Sequence, residues 1–277
     1  MTCFYVGGSQ RSGTTLLQTI LCQDGSTNPL IHEAKYFRHL VAAYRFGKRA
    51  FKGETCDYFR DLEDYRAFNA RLFSETLAKF AGMFPQAQHL VLREPHITML
   101  FPELHELLPE SRFLCTVRDP RDVVASMIRV GERLAGKGIH DDAMAKLFNS
   151  RNIPAIAAHY LSFYGPALQC NDPDFRRALL VLRYEDLVQA PDEQLVKLRA
   201  FTGLPLAAVD FGRDPDSGKV DYHAETNYQS AWNTNLYGKK ISLSRLGSHK
   251  EVLDAGEIRQ VERQCRRSIE MFKYEPG

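Results

Sequence analysis

Phe4-Tyr5-Val6-Gly7-Gly8-Ser9-Gln10-Arg11-Ser12-Gly13-Thr14-Thr15-Leu16-Leu17 is an apolar run that enters a Gly/Ser turn and leaves as a helix. That order of elements builds a phosphate cradle, because the first N–H groups of a helix have no intrahelical partner and point at an incoming anion. Set against the nucleoside triphosphatase spacing G-x-x-x-x-G-K-[ST], the segment keeps Gly8, Gly13 and the hydroxyl of Thr15, but Thr14 stands at the lysine position. Without that lysine the loop is poorly built for γ-phosphoryl transfer. It can still hold a 5′-phosphate through the N–H groups of Ser12, Gly13, Thr14 and Thr15, two hydroxyls and the cation of Arg11.

Two further segments run from an apolar strand into polar residues. Residues 111–117 read as a buried strand followed by Arg118-Asp119-Pro120-Arg121-Asp122 and, within the next two turns, Ser126. With Pro120 opening a helix, the Arg118 guanidinium and the Ser126 hydroxyl converge on one anion, while Arg121 is expected to be solvated in the first turn. A later strand ends in Arg183-Tyr184-Glu185-Asp186-Leu187. Tyr184 is a candidate nucleotide contact, and Glu185 and Asp186 read as structural. The stretch from Pro191 to Thr202, stopped by Gly203-Leu204-Pro205, carries a helix's start and stop signals.

Together, R-S-G-T-T-L-L, R-D-P-R-D with its serine, and R-Y-E-D-L with its terminal G-L-P resemble the sulfotransferases that use 3′-phosphoadenosine 5′-phosphosulfate (PAPS), most closely the tyrosylprotein and bacterial branch. The resemblance runs from residue 3 to residue 275, with no matching motif in much of 35–88. It implies a 5′-phosphosulfate loop at Arg11, Ser12, Gly13, Thr14 and Thr15, a 3′-phosphate site at Arg118 and Ser126, and a contact from Tyr184. It also implies a basic segment, residues 239–250, closing over the nucleotide; Ser244 and Lys250 are the expected contacts there, although His249 replaces the family's tryptophan. PAPS is the implied co-substrate, with no metal. The implied acceptor is a hydroxyl or, as the second choice, an amine.

In the small-molecule branch of that family a histidine takes the acceptor proton, whereas the tyrosylprotein branch uses a glutamate shortly after the first helix. Ile31-His32-Glu33 occupies that place. Glu33 aligns with one inserted residue and His32 aligns without it; Glu33 is favoured. Arg93, in Leu92-Arg93-Glu94-Pro95, stands where relatives carry a lysine. It reads either as a cation for charge developing on the transferred group or as a strand-end salt bridge. The implied chemistry is in-line displacement at sulfur, with Glu33 as base and Arg11 and Arg93 stabilising the oxygens. Two other classes stay open: a P-loop nucleotide phosphotransferase of the kinase type, and a noncatalytic PAPS- or nucleotide-binding protein.

Composition sets the frame. A chain of 277 residues with 44% hydrophobic content suits one domain, 1–277, with a full core. Apolar runs at 3–7, 88–93, 111–117 and 178–184, separated by helical stretches, predict an α/β fold with a central, mainly parallel sheet flanked by helices. By the resemblance this is the P-loop-containing sulfotransferase fold. The last element is expected to be one continuous core helix, capped by Asp254 and Glu257 and running through Ile258, Val261, Cys265, Ile269 and Phe272.

A net charge of +2 argues against a nucleic-acid partner. Cys3, Cys22, Cys56, Cys115, Cys170 and Cys265 show no metal spacing and read as reduced residues. No apolar run approaches the roughly 18 residues of a membrane span, and the first strand leaves no room for a signal peptide, so a cytoplasmic location without a membrane partner is expected. Residues 34–85 and 132–175 are the expected acceptor pocket; their aromatics Tyr36, Phe37, Tyr44, Phe148, Tyr160, Phe163 and Tyr164 fit a lid or a core. Carbohydrate, phenol, peptidyl tyrosine and carrier-bound hydroxyacyl acceptors all stay open, as does the oligomeric state.

Overall fold

The computed structural model describes residues 1–206, 227–232 and 243–275. Strand β1 (Cys3–Gly8) is followed by α1 (Thr14–Leu21), α2 (Lys35–Arg49) and α3 (Leu62–Ala81) before β2 (Leu90–Arg93). Next come α4 (Phe101–Leu107) and β3 (Arg112–Val117). Helices α5 (Pro120–Gly136), α6 (Ala143–Asn149), α7 (Ile153–Ser162), α8 (Gly165–Gln169) and α9 (Pro173–Arg177) separate β3 from β4 (Leu179–Arg183). Then follow α10 (Tyr184–Gln189), α11 (Pro191–Thr202), α12 (Asn227–Trp232), α13 (Ala255–Gln264) and α14 (Arg266–Met271).

The strands form a parallel sheet in the order β2-β1-β3-β4, with Val6 opposite Arg93, Gly8 opposite Thr116 and Val117 opposite Arg183. This is the α/β architecture expected from the four apolar runs. Because β2 is laid on one side of β1 and β3 on the other, the strand order reverses at β1, and the carboxyl ends beside such a switch point are the usual ligand position in these sheets. Alternation along β1 divides the core. Cys3 and Tyr5 pack with Phe37, Phe73 and Phe113 on one face, and Phe4 and Val6 with Leu17, Leu114, Leu182 and Leu198 on the other. Each such side chain contributes about 1.5–3 kcal/mol by leaving water, so a one-residue slip that reversed both faces is strongly excluded.

Phe37, Tyr44, Phe148, Tyr160, Phe163 and Tyr164 are all buried in that core, and of the aromatics considered for the pocket Tyr36 alone is exposed. The helix stops are as the sequence indicated: Gly203 ends α11 at φ +74°, and Asp254 and Glu257 form a reciprocal capping box on α13. The predicted continuous last helix is instead two. Cys265 departs to φ −101°, ψ 15° between α13 and α14. Bonds from Cys265 N–H to the Val261 carbonyl and from Ile269 N–H to the Cys265 carbonyl continue on either side, so the apolar period runs through the break and could not reveal it. All six cysteines are free, and burial pushes the thiols of Cys3, Cys115 and Cys265 up to about 12. No helix among the described residues is long and apolar enough to cross a membrane.

Candidate active site

The loop between β1 and α1 turns through three positive φ angles: Gly8 at +136°, Arg11 at +70° and Gly13 at +97°. Neither glycine has room for a side chain. A Cβ at Gly8 would come within 2.4 Å of the Thr116 carbonyl oxygen, and one at Gly13 within 2.5 Å of the Tyr184 ring. Arg11 holds a conformation that costs a non-glycine residue about 1–3 kcal/mol, so the surroundings must fix it. They do so by direct bonds to the loop. Gly8 N–H donates to Thr98 Oγ1 at 2.6 Å and Ser9 N–H to the Tyr164 hydroxyl at 3.0 Å.

Ser12 was expected to offer donors to a phosphate, and the structure turns it inward. Its N–H and hydroxyl both donate to the Ser9 carbonyl, at 3.1 and 2.6 Å, and the hydroxyl also lies 2.9 Å from Thr116 Oγ1. Ser12 therefore shapes the loop. The first intrahelical bond of α1 runs from Leu17 N–H to the Gly13 carbonyl, which leaves the N–H groups of Thr14, Thr15 and Leu16 to an incoming acceptor.

Arg118, Ser126 and Tyr184 meet this loop. Arg11 Nε donates to Ser126 Oγ at 3.0 Å and Arg11 Nη1 to the Trp232 carbonyl at 2.6 Å. Arg118 Nη1 donates to the Arg11 carbonyl at 3.2 Å and Nη2 to the Arg245 carbonyl at 2.5 Å. The Arg118 guanidinium sits 4.7 Å from the centroid of the Tyr184 ring, which in turn packs on Gly13. Its Nε is buried with no acceptor among the described residues, an orphan donor of the kind an anion satisfies. Arg121, expected to be solvated, is buried instead. It pairs with Asp119 at 2.7 Å and Glu262 at 2.8 Å and donates to the Glu275 carbonyl, because α13 and the segment after α14 cover the first turn of α5. Glu185 accepts from Asp119 N–H and the Tyr274 hydroxyl, in keeping with a structural role.

On the other flank of β1, Arg93 Nη1 lies 2.9 Å from Glu33 Oε1, while its Nε donates to Gln18 Oε1 at 2.8 Å. Gln18, on α1, also donates to the Ile31 carbonyl and so ties α1 to this pair. Burial pushes the Glu33 carboxyl up, but the Arg93 guanidinium and the Lys35 ammonium, 3.4 Å away, outweigh it and hold the group below the usual carboxylate range. His32 is exposed. The next residue of β2's exit, Glu94, is buried; its Oε1 lies 3.1 Å from His96 Nδ1 and its Oε2 has no partner among the described residues. The His96 ring packs 5.0 Å from Phe163 and 6.4 Å from His159, whose Nε2 is 3.1 Å from Gln10 Oε1. Burial and the neighbouring His96 push His159 down to about 4.

Of the C-terminal basic segment, residues 239–242 lie outside the described residues. Ser244 and Lys250 are exposed on two short turns, Leu243–Arg245 and Ser248–Glu251. His249 is the buried member: Nδ1 stands 2.8 Å from Asp122 Oδ1. Sequence reading passed over Gln18, Glu94, His96 and Asp122. Gln18 lies one helical turn beyond Thr14, a spacing that put it within reach, but nothing in a lone glutamine marks it as a clamp.

The parallel sheet carries a left-handed glycine loop at its first crossover, and two arginines, Arg11 and Arg118, converge there: the chain is an α/β protein. A family model described as "Sulfotransferase family" matches residues 4–208, and the chain belongs to that family. It is 27% identical over 205 residues to a provisionally named protein-tyrosine sulfotransferase of Caenorhabditis briggsae, covering 72% of this chain and 65% of that protein. It is 28% identical over 227 residues to the nodulation protein NoeE of Sinorhizobium fredii, covering 76% and 52%. The chain thus spans less than two thirds of either relative. The solved sulfotransferase domain from the curacin biosynthetic pathway shares the fold, with a TM-score of 0.57, 17% identity and coverage of 100% of this chain and 98% of that one.

Proposed function

We propose that residues 1–277 form one sulfotransferase unit that moves a sulfuryl group from PAPS to a hydroxyl acceptor. The observation that carries this reading is the junction of two motifs: Arg11 of the first loop donates to Ser126 while its own carbonyl accepts from Arg118. A nucleotide with phosphates at both 5′ and 3′ positions would engage both sites. The N–H groups of Thr14, Thr15 and Leu16 with Arg11 would take the 5′ side, and Arg118 with Ser126 and Tyr184 the 3′ side. The donor supplies the sulfuryl group: the acceptor oxygen bonds to sulfur as the bond to the 5′-phosphate oxygen breaks and adenosine 3′,5′-bisphosphate leaves.

Glu33 is the base in this reading. As it takes the acceptor proton it loses its charge, and the Arg93 cation it had neutralised is left to the oxygens on which negative charge develops. Cations already in the site supply this stabilisation, so added metal is not required. A second reading of the base rests on His96, whose Nδ1 is set by the buried Glu94 in the manner of an oriented catalytic histidine. The acceptor's class follows from relatives alone; the name of the Caenorhabditis protein favours peptidyl tyrosine, and carbohydrate or carrier-bound hydroxyls remain its competitors. Six free thiols support a reducing, cytoplasmic setting. Calorimetry with the bisphosphate and with adenosine 5′-monophosphate tests the nucleotide reading. Much tighter binding of the bisphosphate is expected; equal affinities would overturn it, and tight binding without label transfer from PAPS to any acceptor would leave a noncatalytic binder.

A further inference from the structure

Gln18 is fully buried within α1, and its amide grips both sides of the Glu33–Arg93 pair. Oε1 accepts from Arg93 Nε at 2.8 Å, and Nε2 donates at 3.1 Å to the carbonyl of Ile31, two residues before Glu33. An arginine side chain only donates and a carbonyl only accepts, so one orientation of the amide serves both bonds. The segment that carries Glu33 is pinned again on its far side, where Ala34 N–H donates to the Arg93 carbonyl at 2.9 Å. Arg93 is itself buried, so these bonds rather than water decide where its guanidinium points.

The ion pair alone would not keep this geometry through a reaction. Arg93 Nη1 lies 2.9 Å from Glu33 Oε1, and most of that attraction is lost once the carboxylate takes a proton. The bond from Arg93 Nε to a neutral amide does not depend on the protonation of Glu33, and an uncharged acceptor leaves the positive charge undivided. A second carboxylate at this place would share the cation instead. The other charged or titratable groups around the pair are few among the described residues. Lys35 of α2 reaches Glu33 Oε2 at 3.4 Å, and His32 is exposed. Burial pushes the Cys22 thiol, which lies in the field of Arg93, up to about 12, and burial also pushes up the Tyr228 phenol of α12, which lies in the field of Glu33; both groups are neutral.

We propose that Gln18 is a positioning residue for sulfuryl transfer: its neutral amide holds the Arg93 guanidinium and the backbone before Glu33 in register, so that the cation is still in place when Glu33 has taken the acceptor proton. The inference rests on the reading of Glu33 as the base. Burial raises the Glu33 carboxyl while the cations of Arg93 and Lys35 outweigh it, so the titration of Glu33 reports how closely Arg93 is held.

Carbon-13 NMR of the side-chain carboxyl groups tests the geometry without an acceptor, the Glu33 signal being the one missing from Glu33→Gln. In Gln18→Met, which keeps the side chain's length and neither bond, the Glu33 midpoint is expected to move up toward the ordinary carboxylate range as Arg93 slackens. In Gln18→Glu it moves up because a like charge shares the cation. Both variants are expected to bind adenosine 3′,5′-bisphosphate as the unaltered protein does. With a tyrosine-containing peptide as acceptor and saturating labelled PAPS, Gln18→Met should transfer about 10- to 150-fold more slowly, the span of one lost hydrogen bond to a charged group. Should Gln18→Met fail to fold, Gln18→Glu decides; should the peptide accept nothing, the titration decides. A Glu33 midpoint that stays put overturns the proposal and leaves Gln18 as packing, as does unaltered transfer by Gln18→Met where Glu33→Gln is slow. Transfer lost in step with bisphosphate affinity overturns it too, since Gln18 would then act through the loop before α1. Near-normal transfer by Glu33→Gln overturns the reading of the base, and this inference with it.

Discussion

Arg93 and Arg118 are both buried arginines, at or just past the ends of the two strands that flank β1, and they are held in opposite ways. Arg118 is fixed by the carbonyls of Arg11 and Arg245, with one carboxylate at the longer distance of 3.5 Å, and keeps a bare Nε. Arg93 faces the Glu33 carboxylate at 2.9 Å and the Gln18 amide at 2.8 Å. A guanidinium held mainly by carbonyls, its nearest carboxylate 3.5 Å away, keeps more of its charge for a ligand that arrives already ionised. One held by a carboxylate is masked until that carboxylate is protonated, which suits charge that appears during a reaction. Side chains around Arg118 should therefore govern affinity, and those around Arg93 should govern rate.

The hardest test of that division is Glu33→Gln, expected to lower single-turnover transfer from labelled PAPS by about 10²- to 10⁴-fold with bisphosphate affinity nearly unchanged, while His32→Ala stays mild. Near-normal transfer by Glu33→Gln with a dead His96→Asn would move the proton to the Glu94–His96 pair. Arg121 supplies a control, a buried arginine with carboxylates and no ligand role. Arg121→Ala should cost about 3–5 kcal/mol in denaturant unfolding, because Asp119 and Glu262 lose their cation; a loss under about 1 kcal/mol would show that the pair is solvated after all.

Arg118→Ala should weaken the bisphosphate by about 10- to 150-fold and leave adenosine 5′-monophosphate as it was, since a hydrogen bond to a charged group is worth about 1.5–3 kcal/mol. Equal weakening of both ligands would mean that Arg118 merely supports the Arg11 loop. A smaller effect separates the two bases. Glu33 is held below the usual carboxylate range, so it stays ionised as pH falls, and the acidic limb of kcat/KM should lie below that range. A limb where imidazoles titrate would favour His96. Last, EDTA should change turnover not at all, and a strict metal requirement would revive the phosphotransferase alternative.

How much of this the sequence disclosed follows from the range of each interaction. The first strand and the glycine loop after it are local: alternation, a Gly/Ser turn and a helix start all fall within 14 residues, Phe4 to Leu17. The pairing of Glu33 with Arg93 was visible only as two candidates, because it joins residues 60 apart across a sheet edge. The inward bonds of Ser12 could not be read at all, and the burial of Arg121 was read the wrong way round. Both depend on partners that arrive later in the chain, Thr116 for one and Glu262 for the other, and a motif string carries no sign of them. The same holds for His249, whose replacement of a tryptophan said nothing of the carboxylate 127 residues earlier that receives it.

Arg121 also bears on how the protein comes to be made. Its last bond reaches the Glu275 carbonyl, 154 residues further along. At a synthesis rate of roughly 5–20 residues per second, about 8–30 s separate the two on the ribosome. The first turn of α5, which carries Arg121, thus emerges long before the residues that bury it, and on the proposed reading nucleotide binding should appear only late in translation.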